Sequence, residues 1–368
     1  MTRVLGRKAL NRALLRRQWL DAPVDAAPLA AIDHLAGLQA QLGDPPYYQL
    51  WSRLRGFRPA DLSALLLNRE AVRIAAMRGT VHLVSAADCG PLRRLVQPYQ
   101  ERALNSSDHG KKLVGVDYDA LAAEARRVLA DGPLGNDELG MRLTKRWPDH
   151  EAVHLAYGAR CLLPLIQIPP RGVWDEGGAL TYALAEQWLG EQADAAAEPE
   201  STVVRYLKAF GPASVDDYQK WSGVTRQRAV FARLRPRLVV YSDDEGKELF
   251  DVPDAALPDP DQPIAPRLVG PFDNLVLSHA DRSRIIDDRG LAYLRTPNGQ
   301  FPGMFLLDGF VAGLWRIDRT RKVATVAFEP FEPISKNDES CLEAEGRRLL
   351  GDMAPQSRQH RVDFARRP

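Results

Sequence analysis

The chain has 368 residues, a formal net charge of +1, 45% hydrophobic and 26% charged residues, and a mean hydropathy of −0.31. That is the composition of an ordinary globular protein, long enough for roughly two to four compact units. No apolar run approaches the roughly 20 residues of a membrane-spanning helix, and Cys89, Cys161 and Cys341 lie too far apart for a close zinc pair and are odd in number for a disulfide framework. The near-neutral total hides an asymmetry. Residues 1–120 carry 17 Lys and Arg against 11 Asp and Glu, a local charge of +6 that allows binding to a polyanion.

Leu5 to Leu20 reads as a helix, broken by Arg7, Lys8, Arg12, Arg16 and Arg17. It therefore does not read as a signal peptide, and a cytoplasmic location is expected. Pro28 to Gln39 has helical apolar spacing and runs into Gly43-Asp44-Pro45-Pro46, which cannot continue a helix. Gln39-Ala40-Gln41 sits at that stop. Residues two apart do not share a face of a regular helix, so the two amides converge on one target only if the backbone leaves α geometry there. Pro59 to Leu67 reads as a third helix, and Val72 to Ala76 with Thr80 to Val84 as two strands around Arg78-Gly79.

The order then repeats. Asp131-Gly132-Pro133 and Phe210-Gly211-Pro212 each follow a helical segment, Asp117 to Leu129 or Ser201 to Ala209. Each opens a second helix with polar capping residues. A third amphipathic segment follows, His150 to Leu163 or Thr225 to Leu234. Each copy ends in a strand–turn–strand run: Leu165 to Ile168 with Ala179 to Tyr182, and Arg237 to Tyr241 with Glu248 to Val252. Three helices and a β-hairpin make a winged helix. Three such units are expected, at 1–115, 116–200 and 201–255, with Gln192 to Pro199 as a linker.

After Pro253 the composition changes. Pro258, Pro260, Pro263 and Pro266 lead into short β-type segments, Leu275 to Ser278, Met304 to Leu307, Phe310 to Trp315 and Val323 to Phe328. A helix at Asn337 to Leu350 and a strand at His360 to Phe364 close the chain. The expected class is α+β, with three tandem winged helices and a small antiparallel β-barrel or sheet at 256–368.

Winged helices place a helix or wing in the grooves of duplex DNA. The candidate phosphate contacts are Arg53, Arg55, Arg58, Arg78, Arg226, Arg228, Arg282 and Arg284. His34 and His82 are the histidines nearest the glutamine pair, and either could touch a substrate. The hairpin from Val239 to Phe250 is a candidate groove wedge. His150 and His154 are spaced for a metal but lack a third ligand, so no metal and no cofactor are expected. Asp273 in Gly270-Pro271-Phe272-Asp273-Asn274 is a turn-type residue with an expected structural role.

Several blocks together resemble the AlkZ/YcaQ-like winged-helix DNA glycosylases of bacteria. They are Leu38-Gln39-Ala40-Gln41, Arg78-Gly79-Thr80-Val81-His82-Leu83-Val84, Val269-Gly270-Pro271-Phe272-Asp273, and Asp308-Gly309-Phe310-Val311-Ala312-Gly313-Leu314-Trp315. Pro302-Gly303, Glu329-Pro330-Phe331 and Arg361-Val362-Asp363-Phe364 complete the set. The resemblance implies tandem winged helices and a C-terminal β-barrel. It also implies a Gln-apolar-Gln catalytic motif at Gln39 and Gln41, and excision of N7-alkylated guanines, in some relatives from bulky or cross-linked adducts. The expected partner is double-stranded DNA containing alkylated purines, bound by a monomer. A non-catalytic DNA-binding protein is the alternative.

Overall fold

The structure, a computed structural model, describes residues 3–190, 198–294 and 301–365. The fold is α+β, with its strands in three sheets of three, five and six. Most of the expected linker falls outside the described residues. No described helix is long and apolar enough to cross a membrane.

The six-stranded sheet joins the first two helical units. Its order is Leu38–Gln39, Val81–Ser85, Ala71–Ala75, Leu165–Gln167, Thr181–Leu184 and Leu134–Gly135, antiparallel throughout. Arg73 and Ile74 pair with Gln167 and Ile166, so the two hairpins form one surface. Helices Pro59–Leu67 and Ala86–Ser106 flank the first hairpin in sequence. Helices Tyr118–Leu129, Asn136–Thr144 and Ala152–Leu162 pack beside the second around Leu121, Leu139 and Leu155.

The third unit holds the start of the chain. Arg3–Val4 pairs in parallel with Val239–Ser242, which in turn pairs with Glu248–Asp251. Helix Arg7–Arg17 lies against helix Pro199–Phe210, where Arg17 makes a two-point ion pair with buried Asp251 at 2.6 Å. Gln18 Nε2 donates to the Ala209 carbonyl at 2.6 Å. One apolar cluster runs from Leu14 through Val72, Ile166, Tyr206 and Trp221 to Phe272 and Leu306, so the core is continuous across all four of the expected units.

The C-terminal sheet departs from expectation in two ways. Its order, Arg267–Val269, Gly303–Leu307, Phe310–Arg319, Val323–Pro330 and Gln359–Phe364, is open, with no pairing of first to last strand. It is therefore not a closed barrel. Nor is it wholly antiparallel. The last two strands run parallel because helix Lys336–Met353 crosses over between them, as a parallel pair requires. Leu275 to Ser278, expected as a strand, is a short helix, Asn274–Leu277. Asp273 decides this by accepting from the Leu275 N–H at 2.9 Å as N-cap.

Candidate active site

The helix expected to reach Gln39 stops at His34. Ala36 (φ 51°) and Gly37 (φ 94°) take left-handed backbone and turn the chain. A Cβ on Gly37 would stand 2.9 Å from Val84 Cγ1 and 3.2 Å from the Leu83 carbonyl, so only glycine fits so close to the neighbouring strand. Leu38 and Gln39 then pair with Leu83 and His82 at the edge of the six-stranded sheet. The Ala40 N–H continues the ladder by donating to the Val81 carbonyl at 2.8 Å.

This corrects the expected setting of Gln39-Ala40-Gln41 from a helix end to an edge strand. Strand geometry alternates faces with period two. Leu38 and Ala40 turn into the apolar core, which leaves Gln39 on the opposite face; the strand ends there, and Gln41, in the bend that follows, folds its amide back onto the Val81 N–H. Gln39 is buried and Gln41 exposed.

The amides are oriented by donors. Arg78 Nη2 donates to Gln39 Oε1 at 2.7 Å, and the Val81 N–H donates to Gln41 Oε1 at 3.2 Å. A guanidinium and a backbone N–H only donate, so each glutamine must present its oxygen to them. The motif backbone is held as well. Buried Arg73 donates to the Ala40 and Leu42 carbonyls, both at 3.0 Å. Gln49 Nε2 ties the Gln39 carbonyl (3.2 Å) to that of Pro271 (2.8 Å), and Asn274 Nδ2 donates to the Gly37 carbonyl at 2.8 Å.

His82 lies across the strand pair from Gln39 and is fully buried. Its Nδ1 meets the Thr80 carbonyl at 3.1 Å, which makes it the protonated nitrogen and leaves the Nε2 lone pair 3.5 Å from Arg78 Nη2. Burial pushes this imidazole down to about 3, and the Arg78 charge acts in the same direction. Burial also lowers Arg78, to about 10, with Arg282 acting the same way, so the guanidinium is charged at neutral pH.

The candidate phosphate contacts divide sharply. Arg53 is completely buried in a two-point ion pair with Asp273 (2.7 and 2.8 Å), and Arg284 is buried with Nη1 on the Pro212 carbonyl at 2.7 Å. Neither can reach a phosphate without leaving the core, so both are corrected to structural residues. Arg78 is engaged with Gln39 and the Trp221 carbonyl. Arg55 and Arg58 are exposed and paired with Asp25 and Asp61. Arg226 and Arg228 are exposed. Arg282 is half-buried near the Phe301 ring. His34 stacks on Trp19 with centroids 4.3 Å apart, and its Nε2 bonds the Arg17 carbonyl.

Sequence reasoning missed Arg73, Gln49, Asn274 and Trp221 as parts of the site. Three of them act on or through backbone carbonyls far away in the chain, and Trp221 contributes only its own carbonyl. No spacing rule signals such contacts.

The family model described as DNA glycosylase AlkZ-like matches residues 32–351. An interstrand DNA cross-link repair glycosylase of Streptomyces sahachiroi is 25% identical over 362 residues, covering 90% of this chain and 92% of the relative. The solved structure of the Streptomyces sahachiroi DNA glycosylase AlkZ superposes with a TM-score of 0.81 at 20% identity, covering 99% of this chain and all of the other. With a match over most of its length, the chain belongs to the AlkZ-like family of DNA glycosylases.

Proposed function

We propose that the protein hydrolyses the N-glycosidic bond of cationic alkylated purines in duplex DNA, N7-alkylguanine above all, and that Gln39 and Gln41 carry the reaction. The observation behind this reading is the pair of amides at the end of one strand, each with its oxygen pinned by a pure donor. An amide oxygen has two lone pairs. The donors take one on each, and the second is free to accept from a water placed beneath C1′.

N7-alkylation gives guanine a formal positive charge, so the base leaves without a general acid. As water oxygen bonds to C1′, the C1′–N9 pair moves onto the ring and cancels that charge, and the water proton passes to solvent. The amides orient the nucleophile and offer partial negative charge to the oxocarbenium-like sugar. No carboxylate stands in the motif to act as a full-strength base, so uncharged lesions should be poor substrates. No lysine adjoins it to form a Schiff base, so the enzyme is monofunctional in this reading. The three helical units with their hairpins serve as winged helices docking a monomer on DNA. Exposed Gln41 suits an open site that admits bulky adducts, including the cross-links for which the curated relative is named.

Duplex containing N7-methylguanine, incubated with the protein and scored for alkali-labile sites, tests the proposal. Gln39→Ala and Gln41→Ala should each slow excision by roughly a hundredfold while duplex affinity holds within about twofold. Undiminished excision by the double variant would sink the assignment. Occurrence of the gene beside a pathway for a DNA-alkylating natural product would favour a self-resistance role.

A further inference from the structure

Arg78 stands where the first and third units meet, and its side chain is committed to both. Nη2 donates to Gln39 Oε1 at 2.7 Å while Nη1 donates to the Trp221 carbonyl at 2.6 Å. Trp221 lies in the last turn of helix Val215–Ser222, so the guanidinium also meets the negative end of that helix. The third acceptor nearby is the unprotonated Nε2 of His82, 3.5 Å from Nη2. A cation so enclosed by acceptors of its own protein is poorly placed to spend its charge on phosphate.

The backbone is arranged to deliver it there. Arg78 has φ 57°, left-handed geometry that a long side chain rarely adopts. The turn maintains it through Ala76 N–H to the Thr80 carbonyl (3.0 Å) and Gly79 N–H to the Ala76 carbonyl (3.1 Å). The Tyr99 ring then packs between the two units. A Cβ on Gly79 would be 3.1 Å from Tyr99 Cε1, and one on Gly223 would be 2.7 Å from Cδ2. Both glycines have positive φ, so turn and helix end approach each other as closely as the ring allows.

We infer that Arg78 is a positioning residue: it sets the Gln39 amide from the third unit's helix, so the water-orienting oxygen is in place only while the two units are docked. This rests on the reading of Gln39 as a catalytic amide. A planar fork can span Gln39 and Trp221 in one fixed geometry, which a lysine ammonium, as a point charge, cannot reproduce.

The test is single-turnover excision, with enzyme in excess over a duplex bearing one N7-methylguanine, alongside Kd for the same duplex by fluorescence anisotropy. The proteins are wild type, Arg78→Lys, Gln39→Ala and the double variant, with thermal melting as a check of folding. Arg78→Gly, which suits left-handed backbone, replaces Arg78→Lys should the latter fail to fold. Arg78→Lys is expected to slow excision roughly ten- to a hundredfold with Kd within about twofold, and to cost nothing further in the Gln39→Ala background. A raised Kd with an unchanged saturating rate makes Arg78 a phosphate contact and overturns the inference. Equal slowing in both backgrounds overturns it too, because Arg78 would then act independently of Gln39. Full activity of Gln39→Ala is a different result, one that removes the parent reading itself.

Discussion

His82 faces Gln39 across a strand pair and can stay beside the Arg78 guanidinium only because it is neutral. Its folded imidazole protonates at about 3, against an ordinary value of 6.5. Between those values the unfolded chain holds a proton that the native state excludes, so stability falls as pH falls. Above about 6.5 neither state binds it, and the contribution is flat. His279 behaves alike: burial, joined by Arg284 and opposed by Asp217, pushes it down to about 3. Each such histidine tilts stability by up to about 1.4 kcal/mol per pH unit within the window. Urea unfolding between pH 6.5 and 4.5 should therefore show a steep decline. His82→Gln, which cannot take up a proton, should be flatter over the same range; an unchanged slope would mean that His82 titrates normally in the fold. The arginines teach the same lesson about environment. Arg53 and Arg284 resemble Arg226 and Arg228 in sequence, yet the first two are buried in the core. Nothing local distinguishes them, because their partners Asp273 and the Pro212 carbonyl lie 220 and 72 residues away.

At the scale of the element, one residue decides how the strand that carries Gln39 begins. Leu35, Leu38 and Ala40 satisfy a helical and an extended pattern almost equally well, so a helix to Gln39 was the natural reading. Gly37 was the one local signal against it, and its left-handed φ makes the strand possible. Gly37→Ala should destabilise the protein by about 1–3 kcal/mol, since both the backbone and the Val84 contact are violated. Below its melting temperature the variant should also excise more slowly than wild type, because register sets which face carries the Gln39 amide. A lowered melting temperature with wild-type excision would show that the strand tolerates the shift. Other elements were legible for equally local reasons. The helices Pro59–Leu67 and Tyr118–Leu129 and the hairpin around Asp308-Gly309 announce themselves by proline, capping and turn residues. Helix Ala86–Ser106 did not, since Pro91 and Pro98 inside it imitate breaks. The motif was thus readable in the chain, while its conformation and its supports were set by tertiary contacts.

For the molecule as a whole, a formal charge of +1 provides no general attraction to DNA, so affinity must come from local groups. The third unit offers the clearest ones. The helix that receives Arg78 ends at Ser222 and Gly223, and the chain then passes directly to exposed Arg226 and Arg228. The C-terminal end of this helix would therefore touch Gln39 through Arg78 and lead straight into residues that approach phosphate, with a continuous apolar core keeping the arrangement rigid. Each phosphate neutralised in duplex DNA adds about 0.9 to the slope of log Kd against log salt. Arg226→Gln and Arg228→Gln should each lower that slope by about 1, equally for damaged and undamaged duplex. The excision rate at saturating enzyme should not change, because neither residue touches the amides. An unaltered slope in the double variant would take Arg226 and Arg228 off the DNA and leave the third unit joined to the site through Arg78 and the Tyr99 packing. A lowered slope with a lowered saturating rate would mean instead that phosphate binding by this unit is what aligns Arg78 with Gln39.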